Sequence, residues 1–259
     1  MTPTGPDAVL VVDHDGARGT AAPSRDGWEV ELSAGSGRLD VRVASDLLRR
    51  LADDAADADG GTLRWRVPAP TAEHDTIAAA AGFEATRTLW NMRRELPAPD
   101  PEPRPVLRPF VPGSDDDEWL RVNNAAFHWH PEQGGWAQPQ LDERLAEEWV
   151  DLDGFLLHPA SLDDDRPGGA IDGFCWTKVH RGTDPLQGEI FVIAVDPTAT
   201  GTGLGRRLVL AGLDWLHQHG CAVGTLYTES DNEAAVGLYR SLGFSVHHEV
   251  RVYARTVNG

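Results

Sequence analysis

A strand, a glycine-rich loop, a helix, a second strand and a short helix follow one another between residues 188 and 244, and no other feature constrains the fold as much. Behind Gly188 and Glu189, the residues Ile190, Phe191, Val192, Ile193, Ala194 and Val195 form an apolar run that Asp196 and Pro197 stop. Thr200, Gly201, Thr202, Gly203, Leu204 and Gly205 make the loop that opens a helix over 206–219. A strand over 225–228 leads through Asp231 and Asn232 into a helix carrying Tyr239. Leu242, Gly243 and Phe244 then turn the chain into a last strand over 246–254. Upstream, 171–180 reads as a strand that pairs antiparallel with 189–195. Strands interleaved with helices in this way define an α/β (α+β) domain, with a mixed central sheet flanked by helices.

Composition sets the outer limits. With 259 residues, 41% of them hydrophobic, the chain can build two cores. Lys and Arg number 23 against 41 Asp and Glu, a formal net charge of -18. That excess repels phosphate backbones and anionic membrane surfaces, which argues against nucleic acid or lipid and for a small-molecule partner. Cys175 and Cys221 lie far apart, so a disulfide framework is not expected and a reducing cytoplasm is. Cys175, inside the apolar run 171–176, reads as a buried, inert thiol. Residues 1–15 carry no basic region and no long apolar run, and no segment approaches about 18 uninterrupted apolar residues. The expectation is a cytoplasmic monomer.

Proline alternates with small or polar residues over 97–105, which favours a stiff extended spacer. This divides the chain into a first domain over 1–96, a linker over 97–105 and a second domain over 106–259. In the first, 27–43 reads as one or two strands around a hairpin turn at Gly35, Ser36 and Gly37. A helix over 45–58, a strand over 62–67 and a short alanine-rich helix follow. That helix ends in Gly82 and Phe83 and runs into a strand over 84–93, just as Gly243 and Phe244 precede the last strand, so a weak internal duplication is visible. The second domain adds helices over 116–127 and 141–150 and a strand over 154–158. The first domain is the abbreviated copy, because nothing in it corresponds to Gly201, Gly203 and Gly205. One cofactor per chain is therefore expected.

A glycine-rich turn that opens a helix offers consecutive backbone N–H groups and the positive end of the helix dipole to a phosphate. Missing side chains allow close approach. A dinucleotide-binding turn would place its glycines directly at the strand end; here 195–199 intervene. At this point the chain resembles the GCN5-related N-acetyltransferase superfamily, in which a Gln/Arg-x-x-Gly-x-Gly/Ala loop corresponds to Thr200, Gly201, Thr202, Gly203, Leu204 and Gly205. The resemblance implies two tandem domains of that kind and an acetyl-CoA site. The site is made of Ile193, Ala194 and Val195, the loop, Arg206, and Asn232, Glu233, Ala234, Ala235, Val236 and Gly237. Tyr239 lies near the thioester sulfur. Thr200 departs from the usual long polar residue, which weakens cofactor affinity unless Arg206 and Arg207 compensate.

A sharper resemblance runs through Asn123, Asn124, Phe127, His128, Trp129, His130, Glu132 and Trp136, through Trp176, Thr177 and Lys178, and through 226–232. It points to actinobacterial members of the superfamily with two tandem acetyltransferase domains. It implies cysteinyl-glucosaminyl-inositol as acceptor, acetylated on its cysteine amine, with Glu132, Lys178, Glu189 and Tyr227 in contact with it. Asp26, after Pro23, stands where that family carries a glutamate. Individually such charges are often mere solvent-facing residues; their joint occurrence at motif positions is what singles them out. Glu189 is the expected base and Tyr239 the expected acid. An α-amino group, pKa about 7.7–8.0, needs little help from a base, and protonation of a thiolate of ~8.5 by a tyrosine of ~10 is uphill by ~1.5 units, or ~2 kcal/mol. His128 and His130 lack the further ligands a zinc site needs, so no metal is expected. Two other readings stay open: an N-acetyltransferase for a protein N-terminus, polyamine or antibiotic amine, and a coenzyme A-binding protein without catalysis. Retention of both Glu189 and Tyr239 speaks against the second.

Overall fold

The computed structural model describes residues 8–25, 27–35, 39–99, 101–130, 133–161, 163 and 165–259. They form two compact units. The first combines Met1–Asn91, Thr228–Glu233 and Val246–Gly259; the second combines Met92–Tyr227 and Ala234–Ser245.

In the first unit, β1 (Leu10–His14) and β2 (Ala17–Ser24) form a hairpin around Asp15 and Gly16. Their φ values of 47° and 75° are the left-handed pair a two-residue primed turn requires. After β3 (Gly27–Ala34) the chain enters α1 (Val41–Asp57), so 41–43 are helix and the expected hairpin turn at Gly35 instead leads from a strand to a helix. Ser36 and Gly37 lie outside the described residues. The cause is local: the Asp40 side chain accepts the N–H of Arg42 at 2.8 Å and of Val43 at 3.3 Å, capping a helix there. Downstream, Ala44, Leu47, Leu48, Leu51, Ala52 and Ala55 repeat at helical spacing and are fully buried. Burial of each of the three leucines stabilises by about 1.5–3 kcal/mol.

β4 (Gly60–Pro68) runs parallel to β3 from Gly27↔Thr62 to Val30↔Trp65. On its other side lies β11 (Ser245–Asn258), antiparallel from Val250↔Pro68 to Asn258↔Gly60. The last strand of the chain thus belongs to the first unit, giving the order β1-β2-β3-β4-β11. α2 (Ala72–Ala80) and residues 84–91 of β5 (Glu84–Glu95) complete it.

The second unit carries the order β10-β9-β8-β7-β6, from β6 (Arg108–Pro109), β7 (Phe155–Pro159), β8 (Ile171–His180), β9 (Gln187–Val195) and residues 223–227 of β10 (Val223–Glu229). β9 is antiparallel to β8 and parallel to β10, so the sheet is mixed. One face packs on α5 (Leu204–Gln218), close enough that a Cβ on Gly212 would meet Cys175 Sγ at 2.5 Å and Ile190 Cδ1 at 2.7 Å. The other face packs on α3 (Asp116–Ala126) and α4 (Gln138–Leu145) through an aromatic core. There Phe155 stacks on Trp176 at 4.1 Å and on Phe110 at 4.4 Å. α4 begins and ends earlier than the expected helix over 141–150; Trp149 lies beyond it, in the loop before β7. The proline-rich segment 97–105 lies within this unit and is pinned to α5. Arg104 pairs with Asp214 at 2.6 Å, and Glu102 with Arg206 at 2.7 Å. Asp100 lies outside the described residues. Element order repeats, since β3-α1-β4-α2-β5 has the same sequence of types as β9-α5-β10-α6-β11, where α6 is Glu233–Ser241. No helix among the described residues is long and apolar enough to cross a membrane.

Candidate active site

The parallel pairing of β9 with β10 stops at Ile190↔Leu226. Beyond it Ile193, Ala194 and Val195 remain paired to β8, opposite Cys175, Phe174 and Gly173, but not to β10. The separation coincides with a bulge. Trp176 faces Val192 and Thr177 faces Ile190, which leaves Phe191 without a cross-strand partner and turns β9 aside. The sheet therefore opens a gap whose β9 edge carries unpaired backbone N–H groups at alternate positions.

At the end of β9, Asp196 fixes the loop that follows. Its carboxylate accepts from Thr198 N at 2.8 Å and Thr198 Oγ1 at 2.6 Å, and from Arg121 at 2.5 Å. Burial works against ionisation there, but the Thr198 and Arg121 hydrogen bonds prevail and hold the carboxyl below its ordinary range. Thr200 and Thr202 turn their hydroxyls back onto the carbonyls of Pro197 and Ala199, at 2.9 and 2.8 Å. Gly201 and Gly203 have φ of 77° and 76°, and Gly203 is the N-cap of α5. No side chain caps this helix. The first-turn N–H groups of Leu204 and Gly205 therefore point out with the dipole behind them, which fits a pyrophosphate. Arg206 does not face that space alone: it donates to Glu102 at 2.7 Å and to Ser241 Oγ at 3.0 Å. Arg207 braces the loop through Thr202 O at 3.3 Å.

Glu189 sits on the sheet face away from α5, because a Cβ on neighbouring Gly188 would strike Leu216 of that helix at 2.4 Å. Lys178 on β8 and Thr225 on β10 are its direct cross-strand partners. Gly224 points at α5, so Tyr227, two residues beyond Thr225, joins the Glu189 face. Lys178, Glu189 and Tyr227 are thus brought to one surface. Lys178 Nζ lies 4.3 Å from the centroid of Trp149 and 5.6 Å from that of Phe191, a cation–π seat that restrains the ammonium. Glu147 holds Trp149 through the indole N–H at 2.6 Å. Glu189 itself is 8% exposed. Its Oε2 is hydrogen-bonded to His180 Nε2 at 2.7 Å, whereas Oε1 has no partner among the described residues and is not sealed from solvent. Sequence reasoning singles out neither His180 nor Trp149; the available signal is that Lys178 and His180, two apart on one strand, must share a face.

Tyr239 lies on α6, 8% exposed, its ring edge-on to Phe244 at 5.9 Å. Burial, with Cys175 nearby, pushes its hydroxyl up to about 12. Cys175, whose sulfur points at α5, marks the opposite face of the sheet from Glu189. Burial pushes the Cys175 thiol up to about 12 and Cys221 upward as well, so neither is a ready nucleophile. Ala234, Ala235, Val236 and Gly237 form the first turns of α6. Asn232 and Glu233 fall in the first unit, with Asn232 N donating to Glu229 O at 3.2 Å. Asp26 and Glu132, expected at the acceptor, lie outside the described residues. His130 serves the loop, accepting Gln133 N at 3.0 Å.

A tandem-domain fold with a split parallel strand pair and an uncapped glycine loop is the architecture of a known group of enzymes. Residues 122–244 match the model of the acetyltransferase (GNAT) family. A mycothiol acetyltransferase from Actinosynnema mirum is 42% identical over 219 residues, 83% of this chain and 70% of that protein. One from Nocardia farcinica is 48% identical over 183 residues, 69% of this chain and 59% of that protein. One from Rhodococcus erythropolis is 45% identical over 197 residues, 71% of this chain and 64% of that protein. The chain thus spans less than two thirds of the length of these last two relatives. Among solved structures, a GCN5-related N-acetyltransferase from Sphaerobacter thermophilus superposes with a TM-score of 0.74 at 20% identity, covering 94% of this chain and 78% of that one. A tandem GNAT protein from the clavulanic acid biosynthesis pathway does so with a TM-score of 0.69 at 17% identity, covering 98% and 85%. The chain belongs to the GNAT acetyltransferase family, in its mycothiol acetyltransferase branch.

Proposed function

We propose that this protein transfers the acetyl group of acetyl-CoA to the cysteine amine of cysteinyl-glucosaminyl-inositol, the last step of mycothiol biosynthesis. The observation that carries the reading is Glu189: a buried carboxylate with one oxygen held and the other open, on the face that also presents Lys178 and Tyr227, beside the split in the sheet. The relatives named mycothiol acetyltransferases support mycothiol chemistry, the sequence resemblance implies the acceptor, and cytoplasmic residence fits two free, buried cysteines. Acetyl-CoA supplies the thioester carbonyl, with its pyrophosphate on the Leu204 and Gly205 amides and its pantetheine along Ile193, Ala194 and Val195.

In this reading Glu189 Oε1 takes a proton from the incoming ammonium, leaving the amine lone pair free to attack the carbonyl carbon. An N–H on the free edge of β9 stabilises the oxyanion. As the C–S bond breaks, the Tyr239 hydroxyl donates a hydrogen bond to the departing sulfur from the other side of the gap. Lys178 and Tyr227, with Glu132, orient the sugar and inositol hydroxyls. Positioning amine and thioester together supplies much of the acceleration.

The test is release of free coenzyme A with acetyl-CoA and cysteinyl-glucosaminyl-inositol, against cysteine and glucosaminyl-inositol as controls. Turnover with the complete acceptor alone is expected. The Glu189→Gln variant should lose ~10²–10⁴ in turnover while its acetyl-CoA affinity holds. Equal loss of both would remove Glu189 from the base role.

A further inference from the structure

Glu189 is held by a partner that the chemistry above does not use. We propose that His180 is the proton exit of the active site, a positioning residue that acts through Glu189 and passes the ammonium proton from that carboxylate to water. The inference rests on the reading of Glu189 as base.

Glu189 Oε2 and His180 Nε2 are 2.7 Å apart, a single hydrogen bond, while the two side chains are 10% and 33% exposed. The imidazole therefore bridges a buried carboxylate and the solvent. Glu189 is the one group that His180 bonds to through its ring among the described residues. The charged groups facing this corner are few. Lys178 is on the same strand, two residues away, and is drawn onto the Trp149 ring. Glu147 and Arg144 are paired with one another at 2.6 Å in the segment that holds Trp149. Arg181 and Asp184 are exposed in the turn to β9. The turn fixes the strand end, since Thr183 donates to His180 O at 2.8 Å and accepts Gln187 N at 2.9 Å.

The chemistry requires such an exit. The net reaction, ammonium plus thioester giving amide, thiol and one proton, removes two protons from nitrogen. One ends on the sulfur as the C–S bond breaks; the other must leave the site. A free carboxylate, pKa about 4.3, accepts a proton from an α-ammonium of about 7.7–8.0 uphill by ~3.5 units, whereas a free imidazole at about 6.5 does so uphill by only ~1.3. A relay matches the base to the task. With His180 in the Nδ1–H tautomer, Oε1 takes the ammonium proton, rotation of the carboxyl brings that proton to face Nε2, the Nε2 lone pair accepts it, and the imidazolium releases its Nδ1 proton to water, leaving Glu189 ionised for the next turnover.

The test uses the full chain with two substitutions. His180→Gln keeps an amide donor to Glu189 but cannot relay. It should fold as wild type, keep its KM for acetyl-CoA within twofold, lose ~10–100-fold in kcat, and shift the pH profile of kcat to higher pH. His180→Ala should lose as much and regain activity with added imidazole in proportion to the free-base concentration. Wild-type kcat and pH profile in His180→Gln would overturn the inference. So would an activity loss in His180→Ala that imidazole does not restore. Wild-type turnover of a different primary amine would overturn the acceptor reading alone, and the same series run on that amine decides the relay. Absence of wild-type turnover on any amine would overturn both.

Discussion

Tyr239 is a permanent hydrogen-bond donor at physiological pH, because burial and the proximity of Cys175 push its hydroxyl up to about 12. The reference values for free side chains put proton transfer to a thiolate ~1.5 units uphill. With the buried tyrosine against a thiolate of ~8.5 the gap is ~3.5 units, or about 5 kcal/mol. Complete transfer is too costly to be free, so in the proposed mechanism Tyr239 shares its proton as negative charge grows on sulfur. Tyr239→Phe should then lower kcat by ~10²-fold with acetyl-CoA affinity unchanged, and no alkaline limb below pH ~10 should belong to this hydroxyl. Stopped-flow turnover across pH 6–10 checks both, and a limb near 9 that vanishes in the variant would refute it. At this scale the sequence exposes residues that sit in motifs and hides those that depend on register. Lys178, Glu189 and Tyr227 stand out by position, and β-pairing puts them on one face. His180 does not stand out, because its bond to Glu189 is a diagonal across two strands. The pairing of Arg206 with Glu102 is hidden as well, because nothing local reveals a carboxylate more than a hundred residues earlier.

Among elements, the loop before α5 makes the most specific demand. Gly203 caps the helix at φ 76°, where an L side chain costs about 1–2 kcal/mol, whereas Gly205 is already helical and a Cβ there would meet Val195 Cγ2 at an ordinary 3.6 Å. Gly203→Ala should therefore lower Tm by about 2–4 °C per kcal/mol of strain and weaken acetyl-CoA about tenfold, while Gly205→Ala changes affinity by less than about twofold. Calorimetric titration of both variants checks this; equal losses would mean that the loop binds through bulk and not through its backbone shape. The elements themselves are legible to different degrees. β7, β8, β9, α5, β10 and α6 follow from apolar runs bounded by Gly and Pro, and their ends shift by only a few residues. The β1–β2 hairpin announces itself only through Asp15-Gly16, and the start of α1 only through Asp40. No local pattern tells that β11, at the end of the chain, aligns with β4; a strand's partner is a tertiary choice.

For the molecule as a whole, alkaline pH is the exposed flank of its stability. Cys175 is pushed by burial from 9.0 to about 12, and Cys221 is raised for the same reason. Tyr239 and Tyr253 rise from 10.0 to about 12, the latter through burial and its hydrogen bond to Asp75 at 2.6 Å. In every case the folded chain holds its proton more tightly than the unfolded chain. The stabilisation is complete below the unfolded pKa and is lost as pH rises toward the folded one, at about 1.4 kcal/mol per pH unit for each group. Melting temperature should be flat from pH 7 to 8.5, fall above 9 as the unfolded cysteines ionise, and fall more steeply above 10 when the tyrosines join. A second contribution runs the same way, since a chain already at -18 gains further negative charge and repels itself more. Added salt screens this second effect and leaves the first, because the cysteines and Tyr239 titrate from buried sites. Cys175→Ala separates them further: it should lower Tm at pH 7 through its cavity yet flatten the decline between 9 and 10, with the steeper fall above 10 retained. Melting scans of both proteins in reducing buffer, at low and high salt, decide the matter. An unchanged slope in the variant would assign the alkaline decline to overall charge and not to the buried thiol.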